Sequence, residues 1–129
     1  MKLLIAGSRN FCSEENYNLL CSEVEKLEFS SIISGGAKGA DTLAERYAFE
    51  RNIPIEIIKP EWEKFGKKAG FIRNELMWEM CDFGIVFWDG RSKGTKHSLD
   101  LSRDYNKKLI VNIYTTNEKM VLNNTINDF

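Results

Sequence analysis

Three glycine-containing segments carry the residues of this chain best suited to chemistry. Gly35-Gly36-Ala37-Lys38-Gly39-Ala40-Asp41 sets three glycines, a lysine and an aspartate between an apolar run and an amphipathic one. Gly7-Ser8-Arg9-Asn10 follows the first apolar run, and Trp88-Asp89-Gly90-Arg91-Ser92-Lys93-Gly94-Thr95 follows a later one. Glycine costs backbone entropy, so a cluster of them at one junction points to a need for bare backbone. A glycine loop that opens a helix offers unpaired N–H groups and the positive end of the helix dipole to an anion, most often a phosphate. Arg9, Lys38 and Lys93 add positive charge. Two such loops facing each other suit a nucleotide or a sugar phosphate. The pattern is not the dinucleotide fingerprint, because G-x-G-x-x-G is absent from the first strand–helix turn. It is not a Walker loop either, because no G-K-[ST] stands at the required spacing.

The flanking residues supply elements to hold these loops. Apolar runs at 2–7, 30–34, 53–60, 82–90 and 107–115 read as strands. Between them, 13–27, 41–52, a stretch from about Ala69 to 81, and 94–106 show helical spacing. Ser13 is a plausible N-cap, and Thr42 with Glu45 fits a capping box. The segment 61–68 reads as a glycine-punctuated loop. Short apolar strands alternating with helices predict an α/β fold. The expectation is a single doubly wound domain over 1–115, with a five-stranded parallel sheet in the order 3-2-1-4-5 and helices on both faces. Residues 116–129 read as a polar tail, either a short docked helix or partly disordered. Ligands of such sheets bind at the carboxyl ends of the strands, near the switch point between strands 1 and 4, where the three glycine segments fall.

The 129 residues are 43% hydrophobic and 29% charged, with a net charge of -1. That balance gives no global attraction to nucleic acid or to an anionic membrane. No apolar stretch reaches the roughly 20 residues of a membrane span. The apolar N-terminus reads as a strand rather than a signal peptide. Cys12, Cys21 and Cys81 share no metal-like spacing and fit free thiols in a cytoplasmic protein. No metal and no cofactor is expected.

In order along the chain, "LLIAGSRNF", "ISGGAKGADTLAERYA", "KKAGFIRNELM" and "VFWDGRSKGT" resemble the YspA-like branch of the SLOG superfamily. That superfamily includes the LOG phosphoribohydrolases and the Rossmann-like domain of the DNA-processing protein DprA. The resemblance covers about residues 1–114 and implies a Rossmann-like fold with a site for nucleotides or nucleotide-derived ligands. It implies that Gly35, Gly36 and Gly39, with Gly94 and Thr95, hold phosphate. Arg73 falls where LOG enzymes place an active-site arginine, with Asn74 beside it. The LOG pattern P-G-G-x-G-T-x-x-E is broken here, for Ser98 stands at the glutamate position. A serine supplies no carboxylate to cleave an N-glycosidic bond, so Asp89 or Asp41 would have to replace it.

The remaining candidates each carry two readings. Asp41 either bonds a ligand hydroxyl or caps the second helix. Trp62 and Trp88 either stack on a base or pack. Gly90 shares the turn of Asp89. Lys67 and Lys68 meet phosphate or are simply solvated. His97, the one histidine, reads as a surface residue. Phe71, Ile72, Leu76, Met77, Trp78 and Met80 surround much of one helix, which points to a homodimer. The ranking that follows puts first a sensor or sequestering domain for a nucleotide-like small molecule. A nucleotide-processing enzyme, with Asp89 and Arg73 as its catalytic groups, comes second. DprA-like nucleic-acid binding comes third, because the balanced charge argues against it.

Overall fold

The computed structural model describes residues 1–124. One six-stranded mixed sheet runs in the order β3-β2-β1-β4-β5-β6. Its strands are β1 (Lys2–Gly7), β2 (Ser31–Ser34), β3 (Ile55–Ile57), β4 (Phe83–Trp88), β5 (Lys108–Ile113) and β6 (Glu118–Leu122). The helices are α1 (Glu14–Val24), α2 (Ala40–Glu50), the single turn α3 (Trp62–Phe65), α4 (Ala69–Met80) and α5 (Lys93–Asp104). A 3₁₀ turn, Gly66–Lys68, joins α3 to α4.

The five predicted strands are parallel and in the predicted order. The expectation of a wholly parallel, five-stranded sheet is corrected by β6, which pairs antiparallel with β5, Ile113 facing Glu118. Within the segment read as a tail, the chain turns back through Asn117, at φ 61°, a left-handed conformation that asparagine tolerates. The remainder of that segment, 125–129, lies outside the described residues. β3 is shorter than the run 53–60 suggests, because prolines at 54 and 60 bracket it and donate no ladder hydrogen bonds.

Burial on both faces explains why the strands read as continuous apolar runs. Leu3 and Ile5 of β1 point into one core with Phe83, Ile85 and Phe87 of β4, under α1 and α2. Leu4 points into the other with Val86, Leu109 and Val111, under Met77 and Trp78 of α4 and Leu101 of α5. Trp78 is wholly core, while Phe71 and Leu76 on the same helix stay exposed. Ser13 caps α1 as predicted, its capping box closed by Asn16. No capping box forms on α2. Gly39 holds the cap position there, and Thr42 Oγ1 donates instead to the Ala37 carbonyl oxygen. Among the described residues, no helix is long and apolar enough to cross a membrane.

Candidate functional site

The carboxyl ends of β1, β2 and β4 open into one cleft of about 540 Å³. Strand β1 enters it through Ala6, Gly7 and Ser8, with Arg9 and Asn10 beyond. The β2–α2 loop contributes Ala37 and Lys38, α4 contributes Arg73, Asn74 and Met77, and α5 contributes Gly94, Thr95 and Ser98. The N-termini of α2 and α5 both lie at this cleft, so the positive ends of two helix dipoles converge on it.

Ser8 ties the loops together. Its N–H donates to the Phe87 carbonyl oxygen at 2.9 Å, and its own carbonyl oxygen accepts from Phe11 and Ala40. Its Oγ accepts from the Asp89 N–H at 3.0 Å and lies 3.1 Å from Ser92 Oγ. The Ser92 hydroxyl donates to Asp89, so Ser8 is the donor to Ser92. The β1 and β2 loops touch at Gly39. At φ 86°, a Cβ there would fall 2.5 Å from the Arg9 carbonyl oxygen. The backbone N–H groups of Lys38 and Gly39 have no protein acceptor among the described residues.

The glycine loop is braced from below. Asp41, buried in the first turn of α2, accepts the Ala37 N–H at 3.0 Å. It therefore bonds backward into the loop rather than forward as a helix cap. Burial pushes its carboxyl up to about 6, against the pull of the Ala37 N–H and of Arg73. Arg73 reaches in from α4, with Nη1 donating to the Gly35 carbonyl oxygen at 2.5 Å and Nε to Asn74 Oδ1 at 2.8 Å. Burial lowers the pKa of its guanidinium, and Asp41 partly offsets that. Asn74 Nδ2 in turn sits 3.5 Å from His97 Nδ1, and the imidazole lies edge-on to Phe71.

Asp89 lines the cleft, but its Oδ1 already accepts from the Arg91 N–H, the Ser92 N–H and the Ser92 hydroxyl, each at 2.8 Å. These bonds, that of the Ser92 N–H first, hold its carboxyl below the ordinary value. The group braces the turn into α5.

The cleft thus gathers Gly7, Ser8, Arg9, Lys38, Asp41, Arg73, Asn74, Asp89, Gly94 and Thr95 of the predicted set. Gly35, Gly36 and Gly39 build the loop behind it, while Gly90 and Lys93 stand at its rim outside the lining. Trp88 is not in it. Its indole N–H donates to the Ser92 carbonyl oxygen at 3.0 Å, and its ring packs on the second core. Trp62 lies outside on α3, 58% exposed. Ala6, Asn10, Ala37, Met77 and Ser92 also line the cleft, and the sequence pattern does not single them out as ligand residues. Helical spacing from Arg73 would have reached Met77.

The positive charge of this edge is uneven with the rest of the surface. Arg9, Lys38, Lys59, Lys64, Lys67, Lys68, Arg91, Lys93 and Lys96 all sit in the loops after β1–β4 or in the helical turns they open. None is in an ion pair among the described residues, whereas elsewhere Lys26, Arg46, Arg51, Arg103 and Lys119 each hold a carboxylate and Lys2, Lys107 and Lys108 do not. Among the described residues, no group of three or more His, Cys, Asp or Glu is placed to hold a metal ion.

Residues 1–65 match the family described as YspA, cpYpsA-related SLOG family. The gene 61 protein of Mycobacterium phage D29 is 34% identical, over 76% of this chain and 85% of that protein. The solved structure of DNA processing protein A from Helicobacter pylori, described for its single-stranded DNA binding mode, is similar with a TM-score of 0.65 and 22% identity. The likeness covers 86% of this chain and 64% of that one, and so spans under two thirds of that protein.

This likeness corrects the ranking drawn from the sequence. A nucleotide-like small molecule stands first there, and nucleic acid third. A protein of the same fold nonetheless binds single-stranded DNA. The net charge of -1 that ranks nucleic acid low averages over the whole surface. It conceals a sheet edge at which Arg9, Lys38, Lys59, Lys64, Lys67 and Lys68 are in no ion pair among the described residues, while acids such as Glu14, Glu23 and Glu25 are taken up by ion pairs elsewhere.

Proposed function

This chain belongs to the YspA, cpYpsA-related SLOG family, and we propose that within this fold it binds single-stranded DNA along the carboxyl edge of the sheet. The observation that carries the proposal is that Arg9, Lys38, Lys59, Lys64, Lys67 and Lys68, all in the segments after β1–β3, are in no ion pair among the described residues. A strand's phosphates need several such cations in line, and each phosphate neutralised releases counterions. The loop of Gly35–Gly39 and the two helix N-termini receive one phosphate in the cleft. Trp62, exposed beside Lys64, offers a face on which a base stacks whatever its identity. This is the combination of basic groove and aromatic platform that single-strand binders use. Arg73 and Asn74 act in binding rather than in bond cleavage, and Asp89 holds the α5 turn in place. The free thiols of Cys12, Cys21 and Cys81 suit a reducing cytoplasm.

Fluorescence anisotropy of a labelled oligothymidylate, run beside a duplex of equal length and AMP as competitor, tests the reading. The expected result is salt-sensitive binding of the single strand, weaker binding of the duplex and little competition by AMP. No binding of the single strand at low salt, or tighter binding of the duplex, overturns it.

A further inference from the structure

Beside the main cleft lies a second, smaller cavity of about 130 Å³, between the segment leaving β3 and helix α4. Its walls are Ile58, Phe65, Ala69, Ile72 and Leu76, and its polar lining comes from Lys59, Glu61 and Arg73. Arg73 is the residue common to this slot and the cleft. Its guanidinium is fixed between them by the Gly35 carbonyl oxygen and Asn74 Oδ1. Phe65 and Leu76 are 36% and 43% exposed, so the slot opens to solvent rather than being filled by the protein's own side chains.

We propose that this slot receives one nucleobase of a bound single strand, whose adjoining phosphate lies at Arg73 and Lys59. The proposal rests on the DNA-binding reading and adds to it a base-binding position separate from the cleft. An apolar cavity bounded by an aromatic ring asks for a flat guest with apolar faces. Two cations of its lining, Lys59 and Arg73, outside any ion pair among the described residues and outnumbering the one carboxylate of Glu61, ask that the guest be tethered to an anion. A nucleotide unit of a strand joins both features over the length of one sugar. The walls carry few directional groups, so the slot holds a base by stacking and burial and tolerates any sequence.

The test compares an oligothymidylate with a strand of equal length built wholly from abasic phosphodiester units. It uses the native chain, Leu76→Trp, which fills the slot from an exposed position, and Trp62→Ala, which removes the separate stacking face. Thermal melting confirms that each variant folds, and Phe65→Ala stands in if Leu76→Trp does not. The abasic strand is expected to bind the native chain roughly tenfold more weakly, in line with the stacking of a base. Leu76→Trp should erase most of that difference without changing the salt dependence. A tenfold difference that persists in Leu76→Trp and disappears in Trp62→Ala overturns the slot, as does equal binding of both strands by the native chain. Either result leaves the edge as a backbone binder. If neither strand binds the native chain, the DNA-binding reading falls, and the slot with it.

Discussion

Arg73 and Gly35, 38 positions apart in sequence, are joined by a hydrogen bond from the guanidinium to the carbonyl oxygen. The contact is close enough that a Cβ at position 35 would lie 2.7 Å from Arg73 Nη1 and 3.0 Å from Asp41 Oδ2. Through this pair, helix α4 on one face of the sheet fixes the loop that opens α2 on the other. The site's geometry thus depends on a residue that also lines the neighbouring slot.

Arg73→Lys separates charge from geometry. A lysine keeps the positive charge but cannot donate to Gly35 and Asn74 at once, because it lacks the planar fork. We expect Arg73→Lys to weaken DNA binding nearly as much as Arg73→Ala. Each should also lose about 1 kcal/mol of stability with the hydrogen bond to Gly35. Anisotropy titrations with parallel thermal melts measure both. Full recovery of affinity in the lysine variant would mean that Arg73 acts as a point charge alone.

Asp41 makes the site sensitive to pH. Its folded pKa is raised from 3.8 to about 6, chiefly by burial. Its contribution to stability is therefore fully present below about pH 4 and is lost as pH rises through 6. The shift corresponds to about 3 kcal/mol as an upper figure. The ionised carboxylate also opposes a phosphate nearby, so DNA affinity should fall over the same interval. Urea unfolding and binding measured from pH 4.5 to 7.5 should show both trends in the native chain and in His97→Gln. Asp41→Asn should flatten them, and an unchanged profile in that variant would remove Asp41 as the titrating group.

Much of this architecture can be read from the chain because the signals are local and strong. Leu3, Leu4 and Ile5 are apolar on both faces, which marks an interior strand, and the glycine loops mark the strand ends that face the site. Strand β6 is hidden because it lies at the sheet edge. Met120 and Val121 are 39% and 56% exposed there, so the run carries no core-facing alternation. The lining of the cleft is less legible than its loops. Trp88 reads equally as a stacking face or as strand-end packing, and its ring packs on the second core with the indole N–H bonded to Ser92. The sequence leaves Asp89 between a catalytic role and a brace of its turn, and three hydrogen bonds of that turn converge on its Oδ1. Net charge misleads for a similar reason. A sum over the sequence does not record which cations are paired, and pairing depends on the tertiary contacts of residues such as Arg46 and Glu14.

Two glycines of the site should respond oppositely to alanine. Gly39 combines φ 86° with carbonyl oxygens pressed against its missing side chain. Gly39→Ala should cost at least about 2 kcal/mol through backbone strain and should push apart the loops after β1 and β2, removing DNA binding. Gly94 lies in the first turn of α5, and a methyl group added there would meet nothing within 4 Å. Gly94→Ala should therefore be neutral, or stabilising by up to about 1 kcal/mol. Urea midpoints of the two variants decide the matter, and equal losses would mean that the close approach at Gly39 is not what holds the loops together.

The salt dependence of binding should identify which cations meet phosphate. For a single strand, log K falls with log salt with a slope of about −0.7 per phosphate neutralised. Arg9 and Lys38 line the cleft from two different loops and lie outside any ion pair among the described residues. Arg9→Ala and Lys38→Ala should each flatten the slope by roughly 0.7, and together by about twice that. Lys108, at the start of β5 on the opposite edge of the sheet, is the control, and Lys108→Ala should leave the slope unchanged. If Lys108→Ala flattens it equally, the attraction is a property of the whole surface. If none of the three changes it, the phosphates lie elsewhere. Flattening confined to Arg9 and Lys38 places the backbone across the ends of β1 and β2, where the glycine loop can take one phosphate on its N–H groups and the next meets a side chain.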